Sequence, residues 1–210
     1  MDTNARGDVP PGPAFDAWRL RVLSPADFAV LGRTAQLEYL ASLALVAPTT
    51  HNTVPQRMRV DPGASSLHFA LDRRAILPQS DAAGRQATVS LGAAIANASI
   101  AAEVYGMRAT LTVDADAEAM IRPARDGDDG VVPIAVLAFE PGAVAPARDA
   151  SWVHAMLRRK MVRAEFDERV KLDASLAAEL TQMTAAVHRG LTLHVITDAP
   201  TLLALGKFQE

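Results

Sequence analysis

The chain has no cysteine among its 210 residues, which excludes disulfides, thiolate metal sites and cysteine nucleophiles together. It has no excess of positive charge either: 21 basic residues stand against 24 acidic ones for a formal net charge of −3. Only Arg158-Arg159-Lys160 forms a basic block, so a general nucleic-acid partner is not expected, because sequence-independent affinity needs many phosphate-neutralising cations on one surface. Long apolar runs are missing as well. The stretch Leu40 to Pro48 is about half of the roughly 20 residues that a bilayer span requires. The first residues, up to Pro13, are polar and rich in glycine and proline, without the apolar core of a signal peptide, and residues 1–20 read as a flexible arm. A soluble, cytoplasmic protein without a membrane partner is expected. Aromatics are scarce at 5%, a composition that a GC-rich genome produces and that carries no functional weight.

Several chemistries lack their parts. The five histidines, at positions 51, 68, 154, 188 and 194, never pair at helical ligand spacing, and no HExxH occurs, so no metal site is expected. Gly-x-Ser-x-Gly, the Walker loop and the dinucleotide Gly-x-Gly-x-x-Gly are also absent, which removes the geometric basis of the common hydrolase, NTPase and Rossmann readings. The acidic turn Asp126-Gly127-Asp128-Asp129-Gly130 lacks the closing carboxylate of an EF-hand loop and reads as solvated. Asp114 and Asp116 read the same way.

Half of the chain is hydrophobic, enough to bury a core. Ser24-Pro25-Ala26-Asp27 combines a cap hydroxyl, a proline and an acidic first turn, so a helix starts there and runs through Leu37, Leu40, Ala41, Ala44 and Leu45 until Pro48. Arg57–Val60 and Leu67–Leu71 alternate as a hairpin around the turn Asp61-Pro62-Gly63. A long helix from Gly84 to Tyr105 presents Leu91, Ala94, Ile95, Ala98 and Ala102 on one stripe, with Gly106 at the C-cap. Its small residues Gly92, Ala93, Ala96 and Asn97 suit close backbone approach. Strands are expected at Leu111–Val113 and Val132–Phe139, and a Pro/Ala segment from Pro141 to Pro146 precedes a helix over Ala150–Arg159. Beyond it, Asp173 caps a helix burying Leu176, Leu180, Met183 and Val187. A strand over Leu191–Ile196 and a helix from Pro200 to Phe208 follow. The order of elements makes an α+β domain without internal repeats.

Three segments carry a resemblance. Ala47-Pro48-Thr49-Thr50-His51-Asn52-Thr53-Val54-Pro55-Gln56-Arg57 is a polar loop entering a strand. Asp72-Arg73-Arg74, Leu77-Pro78, Asp81, Gly84-Arg85, Ser90-Leu91-Gly92-Ala93-Ala94 and Asn97 follow in order. Arg159-Lys160-Met161-Val162-Arg163 with Phe166 and Val170 is the third. Together, from about Leu37 to Asp198, they resemble the nitroreductase superfamily, and most closely the first part of its tandem, Acg-like branch. The resemblance implies a nitroreductase-like mixed β-sheet flanked by helices over residues 21–210, in a truncated tandem arrangement whose incomplete second half starts near residue 150. It further implies FMN as cofactor and NAD(P)H as electron donor to a nitro-aromatic, quinone or similar acceptor. Carried over by position, Thr49, Thr50 and Asn52 contact the flavin, while Arg159, Lys160 and Arg163 hold its phosphate; no catalytic side chain is implied. A homodimer or a partner subunit would complete the flavin site. Val54 stands where the family has glutamine, Gln56 where it has tryptophan, and Met161-Val162 where it has Thr-Asn. These departures motivate the alternative of a non-catalytic flavin-binding or storage protein, or a degenerate partner subunit. On charge alone, Arg158, Arg159 and Lys160 also complement the macrodipole of the helix they end.

Overall fold

The computed structural model describes residues 19–125, 130–140, 145–160, 172–187 and 190–208. The chain divides into two compact units, Met1–Lys160 and Met161–Glu210. The expected N-terminal arm up to residue 18, the turn Asp126–Asp129 and most of the Pro141–Pro146 segment lie outside the described residues.

The first unit is α+β. Four strands, β1 (Gln56–Asp61), β2 (Ser66–Asp72), β3 (Ala109–Val113) and β4 (Val131–Phe139), form a sheet in the order β1-β2-β4-β3. Among the described residues every pairing is antiparallel, so none of them needs the long crossover that a parallel pair requires; no parallel pair of the expected mixed sheet is among them. Alternation puts Leu67, Phe69 and Leu71 of β2 and Val132, Leu137 and Phe139 of β4 on one face, all buried. A bulge between Phe69 and Ala70 shifts the β2–β4 register, so that Phe69 faces Ala135 while Ala70 faces Pro133; proline is tolerated there because the ladder is already interrupted.

Two helices, α2 (Arg33–Leu45) and α3 (Arg85–Val104), cover the buried face. Ser24 caps α1 (Pro25–Ala29) as expected, its Oγ accepting from Asp27 N–H at 3.0 Å. The expected single helix is nevertheless two. Gly32 adopts an extended conformation (ψ 154°) and becomes the N-cap of α2, and the Gln36 amide donates to Phe28 O at 3.2 Å to bind the two pieces together. A glycine in a helical pattern costs about 1 kcal/mol against alanine, and here the chain turns instead. In the hairpin the positive φ falls on Ser65 (50°), not on Gly63. Arg33 fixes that corner, its Nε donating to Ser65 Oγ at 2.8 Å and its Nη2 to Phe139 O and Glu140 O at 3.3 Å.

The helix α3 ends as its sequence predicts, with Gly106 at φ 69°. Its close-approach face differs from expectation. Ala94, Ala98, Ala101 and Ala102 are buried, whereas Gly92 and Ala96 are exposed and a Cβ on Gly92 would meet nothing within 4 Å. Asn97 Nδ2 donates to Leu43 O at 3.2 Å and joins α3 to the C-terminal turn of α2. At 20 residues, α3 is also long and apolar enough to cross a membrane by length and composition, which the reading of Leu40–Pro48 overlooked; here it is the core helix of the sheet. The short α4 (Ala117–Met120) follows β3, and α5 (Ser151–Arg158) packs Val153, Met156 and Leu157 into the same core.

In the second unit, α6 (Ala174–Val187) starts at Asp173, whose Oδ1 accepts from Ser175 N–H at 2.6 Å. Leu176, Leu180 and Met183 are exposed, contrary to the expected burial; the Val187 side chain lies outside the described residues. Leu191–Ile196 forms no strand. An isolated extended segment leaves its backbone polar groups without ladder partners, and among the described residues this unit offers no second strand. The last helix, α7 (Ala199–Phe208), forms near its expected span.

The N-terminal segment is tied to the core by hydroxyls. Tyr39 Oη accepts from Leu23 N–H, donates to Arg21 O and meets Tyr105 Oη, at 3.1, 3.1 and 3.0 Å, while Phe28 stacks on Tyr105 with centroids 4.3 Å apart. Burial raises the Tyr105 hydroxyl well above the ordinary tyrosine pKa. Tyr39→Phe is expected to cost about 1–2 kcal/mol, since it takes a partner from the buried Tyr105 hydroxyl and from the half-buried Leu23 N–H while keeping the ring; urea unfolding at constant m-value measures it.

Candidate functional site

The loop between α2 and β1 is built on unusual backbone. Thr50–Asn52 forms a 3-10 turn after Pro48, and His51, Asn52 and Val54 adopt φ of 49°, 57° and 47°. Asparagine accepts this region readily, but for a β-branched valine it is strained. The strain persists because both ends of the loop are held. At its start, Thr50 N–H donates to Ser90 Oγ on α3 at 3.2 Å, and Thr49 Oγ1 accepts from Val54 N–H at 3.3 Å across the loop. At its exit, Asp72 N–H donates to Pro55 O at 2.8 Å, and Arg57 Nη1 donates to Val54 O at 3.0 Å. Thr49 and Thr50 are half-buried, while His51 and Asn52 are exposed.

Asp72 is the polar centre below this exit. Its buried carboxylate accepts from Arg57 Nη2 at 2.7 Å and from Arg74 Nε, Nη2 and backbone N–H at 2.8, 3.0 and 3.1 Å. The Arg74 hydrogen bond, aided by the Arg57 charge, holds the carboxyl below the usual aspartate range against the opposing effect of burial.

The cationic stretch begins beside the same loop. Arg159 Nη2 donates to Val46 O at 3.3 Å, at the C-cap of α2 and three residues before Thr49. Thus the fold brings Arg159 to the base of the threonine–asparagine loop; Lys160 follows it, exposed, and Arg163 lies outside the described residues. The helix α5 stops at Arg158, one residue short of its expected end, and Arg159 is extended (ψ 134°). A bond from a guanidinium to the unsatisfied carbonyl at the end of α2 competes with one more turn of α5.

Sequence reasoning missed three features. Ser90 anchors the loop; its signal was only the loop-facing position of a small hydroxyl on α3. Asp81 is buried and caps α3, its two oxygens accepting from Gln86 and Ala87 N–H at 3.0 and 2.9 Å, so two of the orphan amides at that helix start are already used. Gln56, 2% exposed, has no hydrogen-bond partner for either amide atom; nothing in the alternation of β1 signals it.

A groove of about 530 Å³ opens on the sheet, lined by residues including Arg57, Arg59, His68, Thr112 and Pro133. Among the described residues, none of the expected flavin contacts lines it. Among the described residues no three His, Cys, Asp or Glu side chains gather as metal ligands.

Two consequences are measurable. Val54→Gly relieves the positive φ and is expected to raise stability by about 1 kcal/mol, read as a higher urea midpoint. For Asp72 the folded pKa is depressed, so its contribution is complete above about pH 4, the unfolded value, and disappears as pH falls through the lower folded value. Asp72→Asn is expected to cost about 2 kcal/mol at neutral pH and to flatten the acid limb of stability against pH, measured by urea unfolding between neutral and strongly acidic buffers.

A scan against protein-family models finds no match for this chain, and no curated protein matches it.

Proposed function

We propose that the chain is an FMN-dependent, nitroreductase-like oxidoreductase that passes electrons from NAD(P)H to a nitro-aromatic, quinone or similar acceptor. The observation that carries this reading is the meeting of Arg159 with Val46 at the root of the Thr49–Asn52 loop. Arg159, the first residue of the cationic stretch, and the carbonyl just before the polar loop are 113 residues apart in sequence and meet within the first unit. The donor set also fits the group. Thr49 and Thr50 offer hydroxyls to a ribityl chain, the exposed Asn52 amide suits the polar edge of a ring, and Arg159 with Lys160 supplies charge for a phosphate. Bound FMN would accept and release the hydride, so no side-chain acid or base is obligatory. What the chain itself contributes is a loop held in a fixed shape by Ser90, Arg57 and Asp72, and a cationic end. A second copy of the chain or a partner subunit completes the site.

The second reading, a non-catalytic flavin-binding protein or a degenerate partner subunit, is favoured by Gln56. A buried amide without partners occupies the position where the family places an aromatic ring.

The visible spectrum of the purified chain separates these. An oxidised-flavin band that NAD(P)H bleaches anaerobically supports the enzyme, whereas a band that NAD(P)H leaves unchanged supports the store. Arg159→Ala combined with Arg163→Ala is expected to weaken FMN retention at least about 100-fold, two charge-assisted contacts being lost, with the far-UV circular dichroism unchanged. Full occupancy in the folded double variant would place the phosphate elsewhere.

A further inference from the structure

The strand β3 closes the order β1-β2-β4-β3, and among the described residues no strand pairs with its far side. Its ladder to β4 uses alternate residues: Asp114 N–H donates to Ile134 O at 2.8 Å, and Arg108 O accepts from Glu140 N–H at 3.0 Å. Residues two apart in a strand aim their backbone groups the same way. Arg108, Thr110, Thr112 and Asp114 therefore face β4, while Ala109, Leu111 and Val113 turn N–H and C=O outward. Edges of this kind are normally guarded by a charge, a proline or a bulge; Ala109–Val113 has no charge and no proline, and its pairing with β4 is regular. Leu111 and Val113 sit opposite the buried Leu137 and Ala135 yet remain 46% and 58% exposed.

We propose that β3 pairs antiparallel with β3 of a second copy across a two-fold axis, in the register centred on Leu111. In this register Leu111 opposes Leu111, and Ala109 opposes Val113, so each outward N–H and C=O of the three residues gains a partner. Thr110 opposes Thr112 on the other face, a favourable cross-strand pair. Beyond the strand, Arg108 opposes Asp114 at both ends of the ribbon. Both side chains are exposed; among the described residues Arg108 pairs with the exposed Glu140 at 3.6 Å, and Asp114 Oδ1 accepts from Asp116 N–H at 2.9 Å. The charge complementarity selects the register. Sliding by two residues separates both ion pairs and leaves outward groups unmatched, and sliding by one opposes outward residues to residues already bonded to β4.

The exchange is isologous, so it consumes the edge in a closed dimer. Five residues a side bury less than the roughly 1,200–2,000 Å² of a stable complex, so the dimer is weak and its population depends on concentration. The pairing names a surface for the second copy invoked with the function, but it needs no flavin: a colourless chain that dimerises in this way would sink the functional reading and leave this one intact.

Sedimentation velocity of the full chain, from low micromolar to about 1 mM, tests it. A reversible monomer–dimer equilibrium is expected. Arg108→Asp alone and Asp114→Arg alone should each weaken it about tenfold, because each places like charges opposite one another twice, and the combined swap should restore it to within about twofold. Leu111→Pro removes an outward N–H that β4 does not use, so it should abolish dimerisation with unchanged circular dichroism. A monomer at every concentration overturns the proposal, as does a dimer indifferent to the charge reversals and to Leu111→Pro.

Discussion

The alanine face of α3 is the constraint on which the first unit rests. With few aromatic rings available, the core is filled by bringing backbones close: Ala94, Ala98, Ala101 and Ala102 are fully buried beside Leu37, Leu40 and Leu43 of α2 and Leu67, Phe69 and Leu71 of β2. Close packing at this density transmits position. It fixes Ser90 where its hydroxyl meets Thr50, and Asn97 where its amide meets Leu43. The candidate loop is therefore shaped from below by a helix that contributes no side chain to its exposed surface.

That arrangement explains how a strained loop survives. Three residues at positive φ within four positions cost on the order of 1–3 kcal/mol each where the residue is ill-suited, and Val54 is the least suited of them. The cost is offset by hydrogen bonds at both ends and by the Asp72–Arg57–Arg74 cluster, which locks the entrance of β1 to the end of β2. Strain held in this way keeps Asn52 presented to solvent rather than folded into a regular turn.

Local signals were legible where a single residue decides the geometry. Ser24, Gly106 and Asp173 cap helices as their chemistry requires, and the alternation of Leu67, Phe69 and Leu71 placed β2 on the core. The failures share a cause. Gly32 splits a helical pattern because Gln36 and Phe28 reward the turn; Gly92 faces solvent although it is small; and Arg159 leaves the helix for the carbonyl of Val46. In each case a partner distant in sequence, or the absence of one, overrides local propensity. The same holds for Leu191–Ile196, whose strand-like alternation has no neighbouring strand among the described residues of its unit to complete it.

Of the candidate site, the residue types were readable and their convergence was not. By itself the sequence determined the α+β class, the hairpin, the long alanine-rich helix and the exclusion of cysteine chemistry, because each follows from composition, period or a capping residue. Tertiary structure alone decided that the described strand pairs are all antiparallel, that Arg159 reaches the loop after α2, that Asp81 occupies two amides at the start of α3, and that among the described residues β3 ends the sheet with its outward groups bare. Those outcomes depend on which backbone groups find partners across the fold, and hydrogen-bond satisfaction is a property of the assembled layers rather than of any stretch of chain.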